Sequence, residues 1–134
     1  MKKGMTAYWI STALLCSVYA AGAVMYIMRR PLVEQGFAHF GYPAYLVTVL
    51  IVVKIAAPLA ILTRVSIRLS DLAYAGMFFH LLLAISAHLS VGDMGFIPAI
   101  VALGLLVLSF LTQNLGRKVA SPNVPSAPLL TQNA

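Results

Sequence analysis

Cysteine occurs once in this chain and charge is scarce, and both shortages narrow what it can be. A lone Cys16 cannot close a disulfide within the chain, and without a CxxC pair the usual dithiol redox and thiolate metal motifs are missing. Cys16 lies in an apolar run and reads as a small packing residue. Only 9% of the 134 residues are charged. The nine Lys and Arg residues give a net charge of +6 but are scattered in ones and twos, so they form no basic face for nucleic acid. There is no Gly-rich phosphate loop, no Ser/His/Asp order, and no channel filter. The period-2 alternation of a membrane β-barrel is also missing, and a chain this short has no room for eight or more strands.

What remains is apolar. Hydrophobic residues make up 61% of the chain and its mean hydropathy is +0.94, outside the soluble range. A membrane-spanning helix needs about 20 mostly apolar residues, and four runs qualify: 7–28, 44–63, 71–90 and 96–114. Lys2, Lys3 and the small residues Ala20 to Ala23 resemble a signal peptide, but the apolar run continues to Met28, long enough to span. The expected fold is therefore all-α: a four-transmembrane-helix antiparallel bundle over 1–118. The final stretch, 119–134, has three prolines and no charge after Val119 and is expected to be a disordered tail.

Positively charged loops stay in the cytoplasm, which sets the expected orientation. With both termini inside, that side holds Lys2, Lys3, Arg64, Arg68, Arg117 and Lys118, against Arg29 and Arg30 outside. Residues 29–43 mix Leu32, Val33, Phe37 and Phe40 with Glu34, Gln35 and His39. That composition suits an outer-face interfacial cap between the first two spans.

In lipid the informative side chains are those that are costly to place there. Lys54 is the clearest, at the middle of the second span, where translocon scales assign about 2.5 to 3.5 kcal/mol to Lys. Pro58 leaves the Lys54 carbonyl without its helical donor, and His80 lies at matching depth on the third span. Gly76, His80, Ala84 and His88 make one stripe, with His88 about 12 Å further out, near Asp93. The first span adds Thr12, Cys16, Tyr19, Ala23 and Tyr26, whereas the fourth is nearly all aliphatic from Ile97 to Leu108. Asp71 reads as an N-cap or first-turn carboxylate.

Lys54, His80, His88, Tyr19 and Tyr26 are thus the candidate ligand-binding or buried polar site, and Glu34, His39 and Asp93 a candidate outer-face polar cluster. The plainer alternative makes the histidines interhelical hydrogen-bonding glue, and it holds for each histidine taken singly. A bis-histidine haem within one chain is disfavoured, because His80 and His88 share a helix. A metal site from Glu34, His39, His88 and Asp93 lacks HxxH or ExxH spacing, so no metal is assigned.

The segments FAHFGYPAYL, KIAAPLAIL and AYAGMFFHLLLAISAHLSVGD together resemble the DoxX-like family of small four-helix membrane proteins, over about residues 8–118. The resemblance implies a bacterial inner-membrane protein. It further implies a link to redox chemistry, since the family is named for a small subunit associated with thiosulfate:quinone oxidoreduction and other relatives are tied to oxidative-stress membrane complexes. It assigns no catalytic residue. The expectation is a membrane subunit of a redox or oxidative-stress-linked complex, with membrane lipid around it and a soluble or membrane redox partner, holding a quinone or other lipid-soluble ligand between the first three spans. The alternative is a non-catalytic scaffold that anchors a partner or forms a homo-oligomer.

Overall fold

The computed structural model describes residues 2–125. Helix α1 (Lys2–Met28) is followed by the short α2 (Arg30–His39), then α3 (Tyr45–Thr63), α4 (Ile67–Val91) and α5 (Phe96–Gly116). Four of these, all but α2, are long and apolar enough to cross a membrane. Large apolar side chains such as Ile10, Leu14, Val52, Leu83 and Val101 point outward, while Ser11, Thr12, Ser70, Ser109 and Gln113 are buried. This inversion of the soluble pattern is what lipid permits, because packing and hydrogen bonds join the helices and the apolar effect does not sort their faces.

Two helices begin earlier than hydropathy alone suggests. The polar turn Lys2 to Thr6 is already α1, and α4 starts at Ile67 because Ser66, with extended backbone, caps it by accepting the Leu69 N–H at 3.4 Å. Asp71 is therefore neither N-cap nor first-turn residue. At the other end of α4, Gly92 closes the helix at a φ of 72°, a left-handed conformation suited to glycine. Pro31 opens α2 where its missing N–H costs nothing.

The long helices form a ring in the order α1, α3, α4, α5, with α5 closing back on α1. Helices α1 and α4 lie diagonally opposite. The core between them holds Leu15, Tyr19, Ile61, Tyr74, Met77 and Leu106. Helix α2 turns its Val33 and Phe37 inward, against Val47, Tyr26 and Tyr42. It packs against α1 and α3 at the bundle end opposite the termini.

Glycine sets how closely α1 and α5 approach. A Cβ on Gly116 would collide with the buried Tyr8 ring, whereas one on Gly104 would meet nothing within 4 Å. Gly116→Ala is expected to lower stability by about 1 to 3 kcal/mol in detergent, and Gly104→Ala to leave it unchanged or slightly raised. Thermal unfolding of the two variants checks this, and equal midpoints would contradict the close approach.

The first part of the expected disordered tail is placed against the bundle. Ser121 is buried and donates its hydroxyl to Asp71 Oδ2 at 2.6 Å, and Asn123 Nδ2 donates to the same oxygen at 2.8 Å. The rest of that stretch, 126–134, lies outside the described residues.

Candidate functional site

Lys54 sits halfway along α3 and turns toward α1. Its Nζ lies 5.1 Å from the Tyr19 ring centroid and 4.9 Å from that of Tyr26, within the range at which a cation is drawn to an aromatic face. Room for the amine comes from Gly22, between the two tyrosines, where an added Cβ would stand 3.3 Å from Nζ. Among the described residues no carboxylate pairs with Lys54.

Tyr19 has a second task. Its hydroxyl reaches diagonally across the core to His80 Nδ1 at 2.9 Å and lies 3.4 Å from the Met77 carbonyl. The expected meeting of Lys54 and His80 is thus indirect, because the Tyr19 ring lies against the amine and its hydroxyl bonds the imidazole. Tyr26 joins the same group, and its ring meets Phe37 of α2 edge-on at 6.0 Å.

A groove of about 590 Å³ opens beside Lys54 between α1 and α3. Cys16, Ala20, Ala23, Val24, Pro58 and Leu59 line it, with Lys54 the one charged group on its wall among the described residues. Small side chains on α1 make the space, and the amine is its polar feature.

His88 belongs elsewhere. Its Nδ1 pairs with Asp93 Oδ1 at 2.6 Å and its ring packs edge-on against Phe40 at 4.9 Å, tying the α4–α5 turn to the end of α2. The Gly95 N–H donates to the same Asp93 oxygen at 2.7 Å, and this bond, helped by His88, holds the carboxyl below its ordinary range. A depressed carboxyl contributes stability above its unfolded-state value, 3.8, and loses it as pH falls through the lower folded value. Removing the carboxylate with Asp93→Asn should therefore flatten the fall in thermal midpoint at the acid end. An unchanged acid limb would show that Asp93 is idle.

The members of the outer-face polar cluster take separate hydrogen-bond partners, Asp93 pairing with His88. Glu34 pairs with Arg30 at 2.7 Å, Arg30 also donates to Thr48 at 2.8 Å, and His39 is exposed. Among the described residues no three His, Cys, Asp or Glu side chains converge as metal ligands would.

Sequence reasoning missed a second polar system at the end that carries the termini. Ser109 of α5 bonds Thr12 at 2.6 Å and Tyr74 at 2.7 Å, joining three helices. Arg117 donates to the Tyr8 hydroxyl at 2.7 Å and to the Ile61 and Leu62 carbonyls at 2.8 and 3.0 Å, with its guanidinium 4.7 Å from the Trp9 ring. Arg64 donates to Gln113 at 2.8 Å. The signal lay in Ser109 and Gln113, spaced by four on α5 and so on one face, with Arg117 just past the helix end. Helix α5 is therefore polar on one face past the aliphatic stretch from Ile97 to Leu108.

The sequence profile of the DoxX-like family matches residues 10–111. The chain belongs to the DoxX-like family. No curated protein and no solved structure matches it. The DoxX-like stretch takes in Tyr19, Gly22, Lys54 and His80, and stops short of Gln113 and Arg117.

Proposed function

We propose that this integral membrane protein holds a lipid-soluble ligand in the α1–α3 groove, with the polar head against Lys54 and the apolar remainder along the small-residue face of α1. The observation that carries this is a cationic side chain in mid-span, open to an apolar groove and lacking a carboxylate partner among the described residues. An amine there is costly, and a packing role alone would favour an apolar residue. A quinone suits the groove, since its carbonyls accept hydrogen bonds while its ring and tail need apolar surface. Tyr19 and His80 stand behind Lys54 as a hydrogen-bonded pair able to carry a proton, which fits a membrane subunit of a redox or oxidative-stress-linked complex. The cation distribution supports placing both termini in the cytoplasm of a bacterium, the protein in the inner membrane and α2 as a cap on the outer face. Helix α2 lies against Tyr26, one of the two rings that face the Lys54 amine.

Extraction and mass spectrometry of the purified protein test this. The parent should retain a quinone or isoprenoid lipid, and Lys54→Met, shown first to be folded, should retain at least tenfold less. Equal retention would remove Lys54 from the site.

A second role for the polar groups has its own support. His88 is taken up by Asp93, and Ser109, Thr12 and Tyr74 satisfy one another, as interhelical glue does. If no ligand is found in the parent, a scaffold that anchors a partner or a second copy becomes the better account.

A further inference from the structure

A second recess lies at the bundle end that carries the termini, where the α3–α4 turn meets the end of α5. It measures about 660 Å³ and presents three cations, Arg64, Arg117 and Lys118, against the apolar walls of Trp9, Val65 and Ile67. Among the described residues none of the three has a carboxylate partner. Their hydrogen bonds, where they make any, go to neutral groups: Arg64 to Gln113 and the Val119 carbonyl, Arg117 to Tyr8 and the ends of α3. Moreover, Arg64 Nε is buried with no acceptor among the described residues. A buried charged donor left unmet is expensive, and in a native protein it marks a place where something else supplies the acceptor.

The backbone adds to the same field. Arg64 takes the left-handed conformation at a φ of 47°, which ends α3 and turns the chain sharply into the start of α4. The first amides of α4, at Ile67 and Arg68, have no carbonyl within the helix to bond, and the positive end of a 25-residue helix therefore opens beside the cations. An anion is the matching occupant. Its form follows from position: the recess lies at the ends of four spans, with Trp9, a residue suited to the membrane interface, on its wall and exposed apolar Val65 beside it. A free phosphate has no use for those apolar walls, whereas a lipid presents its phosphodiester and its upper acyl carbons together.

We infer that this recess is a binding site for the phosphodiester headgroup of an anionic phospholipid, held by Arg64 and Lys118, with the lipid's glycerol and first acyl carbons against Trp9, Val65 and Ile67. The site is separate from the Lys54 groove and does not depend on it, nor on which face of the membrane the termini occupy.

Native mass spectrometry of the protein released from detergent, with phosphatidylglycerol as the probe, tests the inference. One phosphatidylglycerol should bind tightly and phosphatidylcholine should not. Arg64→Gln and Lys118→Gln should each weaken it about fivefold, the effect of one cation near a lipid headgroup. Lys118 is exposed and makes no hydrogen bond among the described residues, so Lys118→Gln remains informative if Arg64→Gln fails to fold. Lys2→Gln and Lys3→Gln, at the same end but outside the recess, should change little. Undiminished binding by Lys118→Gln, equal losses from Lys2→Gln, or equal binding of phosphatidylcholine would overturn the site. Displacement of the lipid by millimolar inorganic phosphate would reassign it to free phosphate.

Discussion

Arg117→Ala is expected to cost about 2 to 3 kcal/mol of stability, the largest loss from any single side chain at the bundle end that carries the termini. One guanidinium there donates to Tyr8 on α1 and to two carbonyls at the end of α3, while projecting from just past α5. Hydrogen bonds to charged groups contribute about 1.5 to 3 kcal/mol each, and partial exposure brings the total for the three down to about that of one such bond. The last carbonyls of α3 have no helical donors, so removing Arg117 leaves them unmet. Arg117→Lys should recover less than half of the loss, because an ammonium cannot span the phenol and both carbonyls as a planar fork does. Thermal or denaturant unfolding in one detergent measures both. Full recovery by lysine would mean that charge alone matters at this position.

Lys54→Met should behave in the opposite way. Translocon scales assign about 2.5 to 3.5 kcal/mol to a lysine at mid-span, and methionine keeps the apolar stem without that cost. The variant is expected to be at least as stable as the parent. Lys54→Ala, which also empties the space beside Tyr19 and Tyr26, should fall below Lys54→Met by roughly 1 to 2 kcal/mol. If methionine were as damaging as alanine, the amine would be a structural tie between α1 and α3, and the case for an unsatisfied ligand site would weaken.

The spans and Lys54 could be read from the sequence for the same reason: lipid penalises polarity so strongly that four uninterrupted apolar runs, and one cation within them, stand out. Helix starts were less legible. Nothing in hydropathy marks Ser66, whose hydroxyl extends α4 back by a turn, and with Asp71 taken for a cap its hold on Ser121 and Asn123 went unseen. The neighbours of Lys54 also escaped. Depth along antiparallel helices places His80 at the right level, but rotation about each helix axis decides what touches what, and here Gly22 lets the amine settle between Tyr19 and Tyr26. The His88–Asp93 pair, five residues apart across a turn, needed no such information and was legible as proximity. Arg117 was counted only as a flanking charge, because its partners lie on helices far away in the chain.

Photolabelling with an azidoquinone tests most directly the claim that the α1–α3 groove is a ligand site. Labelled purified protein should yield modified peptides from residues 13–27 and 54–62, and the labelling should fall when unmodified quinone is added in excess. Labelling confined to α4 and α5, or unaffected by the competitor, would contradict the claim.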